Sequence, residues 1–439
     1  MTEKMKPSGI AWIGNIPSSW NVSRVKYHYD IMLGKMLQPI QENSADTYEN
    51  YMCSANVTWT GIDLTVLKQM WFSPVEKRQY RLQKGDLIVA EGGDVAVSSI
   101  WNEELEECYL QNALHRVRHC QMNDNRFLYY WLYFLKHSGY IELICNKATI
   151  AHFTKEKFGA IPLCVMDNEE QKAISDYLDA RCAQIDSVIA DIEKQIETLK
   201  KYKKSLITEA VTKGLDRSVP MQDSGIEWIG KIPAHWGTNR LRYVASVKTG
   251  PFGTQLSADE YVDEGIPIIN VKNIGYGSIL AEDLDFVPET VADRLSVHRL
   301  KIDDIVFGRK GAVDKHAIIT DEYADWVQGS DCIRVRSNPE IDSEYLNYLF
   351  DSTYFGSYVM LYAVGATMPS MSSDILLNAR ILVPPVQEQK DIAAHLNNQC
   401  GKINDIIANK KEQLAAIRSH KKSMIYEYVT GKKRVTEVS

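Results

Sequence analysis

Two stretches of this chain carry apolar residues at alternating steps of three and four, with charged residues between them. In the first, Leu178, Cys182, Ile185, Ile189, Ile192, Ile196, Leu199 and Leu206 mark the stripe. That spacing is the narrow seam of a coiled coil, not the wider face of a helix lying on a globular core. Glu193, Lys194, Glu197 and Lys200 keep the remaining faces in water. No Gly or Pro interrupts the chain between Glu170 and Lys213, and Gly214 ends the stretch. The second stretch opens at Glu388, and Gly401 is its single Gly or Pro before Gly431. Laid together without a gap, Ile174 falls on Ile392, Leu178 on Leu396, Cys182 on Cys400 and Ile189 on Ile407. A helix of this length spans roughly 65 Å, longer than a small domain is wide.

The repeat extends beyond the helices. Ser8 to Trp20 returns as Ser224 to Trp236, and over Ser8–Tyr27 against Ser224–Tyr243, 11 of 20 positions are identical. Each copy predicts an apolar, Trp-rich clasp, with Trp12 or Trp228 at its centre, that feeds a strand (Val22 to Tyr29; Asn239 to Val247). Fainter echoes follow. Asn56-Val57 and Gly61 answer Asn270-Val271 and Gly275; Gly85 to Val89 answers Asp303 to Phe307 as a buried strand; Arg116 to Arg118 answers Arg334 to Arg336. Phe127 to Tyr130 answers Tyr345 to Tyr348 as the opening of an amphipathic helix, and Ala148-Thr149 answers Ala366-Thr367. The order is therefore globular unit, long helix, globular unit, long helix, with each globular part large enough for its own core. Short links favour an antiparallel return of the second helix along the first, with a pseudo-twofold axis at mid-helix and a unit at each end.

Bulk composition narrows the function. No run of about 18 apolar residues spans a membrane, and the first residues lack the apolar core of a secretory signal. Eight scattered cysteines without a Cys-x-x-Cys pair read as buried thiols of a reducing cytoplasm, with no metal site. A net charge of -7 excludes a non-specific nucleic-acid coat but not a reader with local basic surfaces.

The Ser-Gly-Ile-x-Trp-Ile-Gly-x-Ile-Pro-x-x-Trp opening, the Gly85 to Ala90 strand and the Pro384 to Lys390 helix start resemble the specificity subunit of type I restriction-modification systems. The resemblance covers essentially the whole chain. It implies an α+β protein with two α/β target-recognition domains separated by a pair of long antiparallel coiled-coil helices. The expected boundaries are 1–163 and 218–383 for the recognition domains, and 164–217 and 384–439 for the helices. It further implies a non-catalytic reader of a bipartite double-stranded DNA site, working without a cofactor. Its implied partners are two methyltransferase subunits, and two restriction-translocase subunits in the full complex, which methylate adenine or restrict. The helices would then set the gap between half-sites, one turn of about 5.4 Å changing it by one or two base pairs.

Internal comparison separates frame from reader: loops that differ between the halves can read different sequences. The loop Leu33 to Gln38, with Lys35 and Gln38, corresponds to Lys248 to Gln255, with Lys248, Thr254 and Gln255. It is either a plain Gly-Pro turn or a donor-bearing contact. Asn56 and Trp59 in the first half, and Asn270, Lys272 and Asn273 in the second, either form turns or pair with bases, Asn suiting adenine. Gln111, Asn112, His115 and Arg116 form a polar cluster facing Gln328, Ser330 and Arg334 in the other copy. Arg309 and Lys310 lie between glycines after a strand, with Lys315 and His316 beyond; they suit phosphate or guanine. The counterpart of Arg309 is Glu91, which suits cytosine N4. The basic run Lys200, Lys201, Lys203 and Lys204, with Arg418, Lys421 and Lys422 in the second helix, complements a helix C-terminus or meets an acidic surface or phosphates.

Two rival classes stand beside the reader. A lone methyltransferase needs Asn/Asp-Pro-Pro-Tyr/Phe, whereas the one Pro-Pro pair sits in Val383 to Val386; Walker, His-Glu-x-x-His and nuclease triplets are also missing. A coiled-coil adaptor without DNA reading is the other, separable by electrophoretic shift of duplex DNA.

Overall fold

Two α+β units emerge in a computed structural model that describes residues 4–120, 123–145, 152–226, 229–311, 313–363, 365 and 370–435, with the side chain of Thr254 left out. The first unit comprises residues 1–192 and 412–439, the second residues 193–411. Trp228 and the pairs Ala148-Thr149 and Ala366-Thr367 lie outside the described residues.

In the first unit a four-stranded antiparallel sheet runs in the order Ser98–Ile100, Leu87–Ala90, Leu114–His119, Tyr29–Leu33. The second repeats it as His316–Ile318, Ile305–Gly308, Cys332–Ser337, Ala245–Thr249. A three-stranded sheet accompanies each: Tyr109–Leu110, Thr47–Met52 and Lys68–Phe72, against Val327–Gln328, Ile266–Ile269 and Asp285–Val287. The central strands are buried along their whole length, as their unbroken apolar runs require. On one face Leu87, Val89 and Val117 pack with Phe127, Leu128 and Trp131 of the helix Asn125–His137. Ile305, Phe307 and Val335 pack likewise with Tyr345, Leu346 and Leu349 of Ser343–Asp351. An aspartate caps each helix, Asp124 to Arg126 N at 2.8 Å and Asp342 to Tyr345 N at 2.9 Å. The aromatic run from Tyr129 is core, with Tyr130, Trp131 and Tyr133 all buried.

The long helices are Asn168–Lys213 and Val386–Val429. Ile174, Leu178 and Cys182 enter the core of the first unit together with Met424, Ile425 and Val429. Ile392, Leu396 and Cys400 enter the core of the second with Ile207, Ala210 and Val211. Inside each unit the two segments run antiparallel. Lys421 meets Asp186 at 2.7 Å and Tyr177 meets Tyr428 with ring centroids 4.5 Å apart in the first. Lys203 donates to Asn404 at 3.0 Å and Lys410 to Gln195 at 2.5 Å in the second. Both helices are followed by a left-handed glycine, Gly214 at φ 72° and Gly431 at φ 69°. Trp236 lies against Gly214, and Pro17 with Trp20 against Gly431. The clasps therefore close over helix ends.

Two expectations are corrected. The strand predicted after each clasp is two strands. Asn21–Arg24 pairs with Pro162–Val165; a turn at Val25–Tyr27 then swings the chain into the four-stranded sheet at Tyr29–Leu33. Gly237–Arg240, Leu241–Tyr243 and Ala245–Thr249 repeat the step. The Asn echo is also out of register. Asn56 Oδ1 accepts from Cys53 N at 2.9 Å, and Asn273 Oδ1 accepts from Asn270 N at 3.1 Å. The structural partner of Asn56 is thus Asn273, and Trp59 corresponds to Tyr276, because the shared feature is the hydrogen-bonded turn and not the Asn-Val pair.

Candidate nucleic-acid interface

At the end of each central strand the chain leaves the sheet in a loop whose first residue is clamped by backbone on both sides. Glu91 N donates to Ala113 O at 2.9 Å, and Glu91 O accepts from Phe153 N at 2.8 Å. Arg309 N donates to Asp331 O at 2.8 Å, and Arg309 O accepts from Met371 N at 2.9 Å. One frame therefore presents a carboxylate in the first unit and a guanidinium in the second. The Glu91 carboxylate lies 3.3 Å from Nδ1 of the exposed His152. Among the described residues the half-buried Arg309 side chain has no hydrogen-bond or ion-pair partner.

Around Arg309 the second unit gathers further candidates. Lys310 is exposed and 3.4 Å from Asp331. Lys315 Nζ sits 5.6 Å from the centroid of the Tyr276 ring, a cation–π contact worth about 0.5–1 kcal/mol at an exposed site. Tyr276, 65% exposed, donates its hydroxyl to Asp314 at 3.2 Å. Gly277 N bonds His316 O at 2.8 Å, tying this turn to the loop. Half-buried Ser330 occupies the 329–331 turn beside them. The loop bearing exposed Gln255 leaves the sheet at Gly250, where an added Cβ would lie 1.8 Å from Gly329 O. Gly34 meets the same restriction at Gln111 O, at 2.4 Å, so only glycine lets either chain pass. Lys248, one position inside the strand end, is half-buried, and its carbonyl accepts from Gln328 at 2.9 Å.

Other predicted contacts turn inward. Lys35 is 5% exposed, paired with Glu76 at 2.5 Å and with Gln38, over the Phe72 ring. Asn56 and Asn273 spend both side-chain ends inside their turns. His115 donates to Phe153 O at 2.7 Å, and burial pushes its pKa below the ordinary value. His316 is buried against Asn347 O at 3.2 Å. Arg116 reaches Gln79 O at 2.7 Å, as Arg334 reaches Val297 O at 3.2 Å. Two residues further along the same strand face, Arg118 makes a two-pronged contact with buried Asp86 (2.5 and 2.8 Å), and Arg336 does so with Asp304 (2.6 and 2.7 Å). These are frame residues. Asn270 donates to Asp285 at 2.7 Å, and Lys272 is held by Asp283 and Asp285 at 3.1 and 3.2 Å. In the first unit Gln111 bonds Asn112 at 2.6 Å, and half-buried Trp59 packs on Tyr129 and Tyr133. Tyr276 was missed from sequence because its link to Trp59 appears only once the turns are registered on Asn56 and Asn273.

Comparison with known proteins joins these observations. The chain is 25% identical to the Type I restriction enzyme MjaVIII specificity subunit of Methanocaldococcus jannaschii, over 97% of this chain and 95% of that one. It is 21% identical to the Type I restriction enzyme EcoKI specificity subunit of Escherichia coli K12, over 95% and 90%. A chain from a solved structure concerned with assembly and conformational transition of the type I R-M system shares the fold. Its TM-score is 0.69 at 13% identity, covering 95% of this chain and 99% of that one. Residues 20–198 and 233–416, one stretch for each half of the duplication, match the type I restriction modification DNA specificity domain, and the chain belongs to that family.

Proposed function

We propose that the chain reads a bipartite, asymmetric duplex DNA site, one half-site per unit, and has no catalytic centre of its own. Methyltransferase subunits, two per chain, act on the adenines it selects, and two restriction-translocase subunits join the full complex. The recognition domains are residues 1–163 and 218–383, with 164–217 and 384–439 as the helices that carry them. The supporting observation is the shared frame that presents Glu91 in one unit and Arg309 in the other. A guanidinium suits guanine O6 and N7 in the major groove, whereas a carboxylate accepts from an exocyclic amino group such as cytosine N4. Arg309, Lys310, Lys315, Ser330 and Gln255 form the reading edge of the second unit, with Tyr276 beside them. Gln111, Asn112 and Glu91 form that of the first.

The test is methylome sequencing of cells carrying this chain with its methyltransferase. A split motif with one modified adenine per strand is expected. Arg309→Ala relaxes one half of it and Glu91→Gln the other, each lost contact costing about 1–3 kcal/mol of discrimination. If both variants leave the motif unchanged, these loops are not the readers. If duplex DNA is not shifted by the chain with its methyltransferase, the protein is a scaffold.

A further inference from the structure

Two residues beyond the glycine at which each loop leaves its sheet stands a large, exposed apolar side chain. Met36 follows Gly34, and Phe252 follows Gly250. The glycines are equivalent: Gly34 N donates to Leu114 O at 3.0 Å, and Gly250 N to Cys332 O at 2.9 Å. Met36 is 75% exposed and Phe252 59%; Leu37 and Ile40 extend the first patch at 56% and 73%. A single exposed apolar side chain is ordinary on a protein surface. Here the feature recurs at one register position, in loops otherwise as unlike as Lys-Met-Leu-Gln and Pro-Phe-Gly-Thr.

Both tips are anchored, by different means. Lys35, pinned inside by Glu76 and Gln38, donates its N–H to Leu110 O at 2.8 Å, and its carbonyl accepts from Asn112 N at 2.8 Å. Gln38 O accepts from Trp71 N at 3.1 Å, so Met36 and Leu37 alone bridge two fixed points. Lys35, expected to touch DNA itself, is thus the tether that holds an apolar tip outward. In the second unit Pro251 restricts the backbone just before Phe252. Gln255 N donates back to Phe252 O at 3.4 Å, and Arg294 holds Gln255 O at 3.1 Å.

Position decides what meets these tips. Met36 adjoins Gln111 and Asn112 through the Lys35 bonds, and the Phe252 loop leaves beside the 329–331 turn that bears Ser330. Both lie on the edges proposed to read bases, where Arg309 suits guanine O6 and N7 in the major groove. In that groove the apolar group a base pair offers is the C5-methyl of thymine. Apolar wedges that part stacked bases are a minor-groove device.

We propose that Met36 with Leu37 in the first unit, and Phe252 in the second, read thymine through its C5-methyl group. This rests on the DNA-reading function and names the base that these loops select. Contact removes the methyl and the side chain from water together. Cytosine would instead bring its N4 amino group against an apolar surface.

The test uses the chain with its methyltransferase and duplexes carrying the split motif that methylome sequencing defines. Thymines of each half-site are replaced one at a time by deoxyuridine, which removes the methyl group alone. The parent should bind at least one such duplex per half-site about fourfold more weakly, the worth of one buried methyl. Met36→Ala combined with Leu37→Ala removes that penalty in one half-site, and Phe252→Ala in the other. Both variants should melt with the parent, because the replaced side chains are exposed. The proposal is overturned by a motif half without thymine, or by a parent indifferent to every deoxyuridine. Variants that keep the parent's thymine preference overturn it too, as does equal weakening of thymine and deoxyuridine duplexes, which assigns the tips to unstacking. Unchanged DNA binding with loss of the methyltransferase overturns it in favour of a protein contact. Failure of the parent to shift duplex DNA at all ends the reading function itself, a distinct result.

Discussion

The two units share a frame and differ in what the frame displays. In both, an arginine clamps a buried aspartate, a second arginine reaches a loop carbonyl, a glutamine ties the long-helix start to the cap of the preceding helix, and an asparagine closes a turn. At the loop ends the parallel stops. Glu91 faces Arg309 across the duplication, and the Trp59–Tyr129–Tyr133 cluster stands where the second unit has a polar cavity of about 450 Å³ behind Tyr276. Positions that satisfy buried backbone and charge cannot vary independently, because each missing partner leaves a buried polar group unmet. Positions held on that frame but open to solvent are free to differ, and difference is what a reader of two unlike half-sites needs.

The comparison breaks most sharply at the buried carboxylates. Asp86→Ala and Asp304→Ala should each destabilise their unit by about 3–5 kcal/mol, since each leaves an arginine without its counter-charge. Urea unfolding measures both, and a cost under about 1 kcal/mol in one unit would mean that the frame is not shared. Next come the aromatic positions. Trp59→Ala should cost about 2–3 kcal/mol, below the full-burial range because Trp59 is half-buried, while Tyr276→Ala should stay within about 0.5 kcal/mol. Comparable losses would contradict a filled first unit and an open second one. The helix ends follow. Gly431→Ala should cost about 2 kcal/mol, above Gly214→Ala at about 1 kcal/mol. Both add left-handed strain, but an alanine Cβ at Gly431 lies 2.4 Å from Pro17, against 3.2 Å from Trp236 at Gly214. Thermal melting ranks them.

The last contrast is a pH dependence at a position where the first unit has no histidine. Burial, then Lys248 and Arg334, push the His298 pKa from 6.5 down to about 4; Tyr80 takes that place in the first unit. Unfolded His298 binds a proton that the folded ring refuses, so stability is lost as pH falls from about 6.5 towards 4 and levels off below. His298→Gln should flatten that part of the profile, and an unchanged slope would assign it to other groups.

Much of the architecture was legible because repeats and heptads are local signals. The two long helices begin at Asn168 and Val386, two residues before the Glu170 and Glu388 at which the repeat starts in the sequence, and the core strands fell where apolar runs placed them. The candidate site was less legible. Lys35 reads as an exposed cation in a glycine loop, yet it lies inside, because Glu76, far along the chain, supplies its counter-charge. Asn56 was matched to Asn270 by an Asn-Val pair, whereas hydrogen bonding matches it to Asn273. Spacing along a chain does not report which carbonyl a side chain reaches.

From the sequence alone followed the duplication, the paired-helix seam, the clasps and the opposed charges of Glu91 and Arg309. These are properties of residue order, and periodic burial writes them directly into it. Tertiary structure alone decided which polar side chains are internal, that each clasp strand breaks into two, and that one unit is plugged where the other is open. Those outcomes depend on contacts between residues distant in sequence, whose desolvation must be met by particular partners.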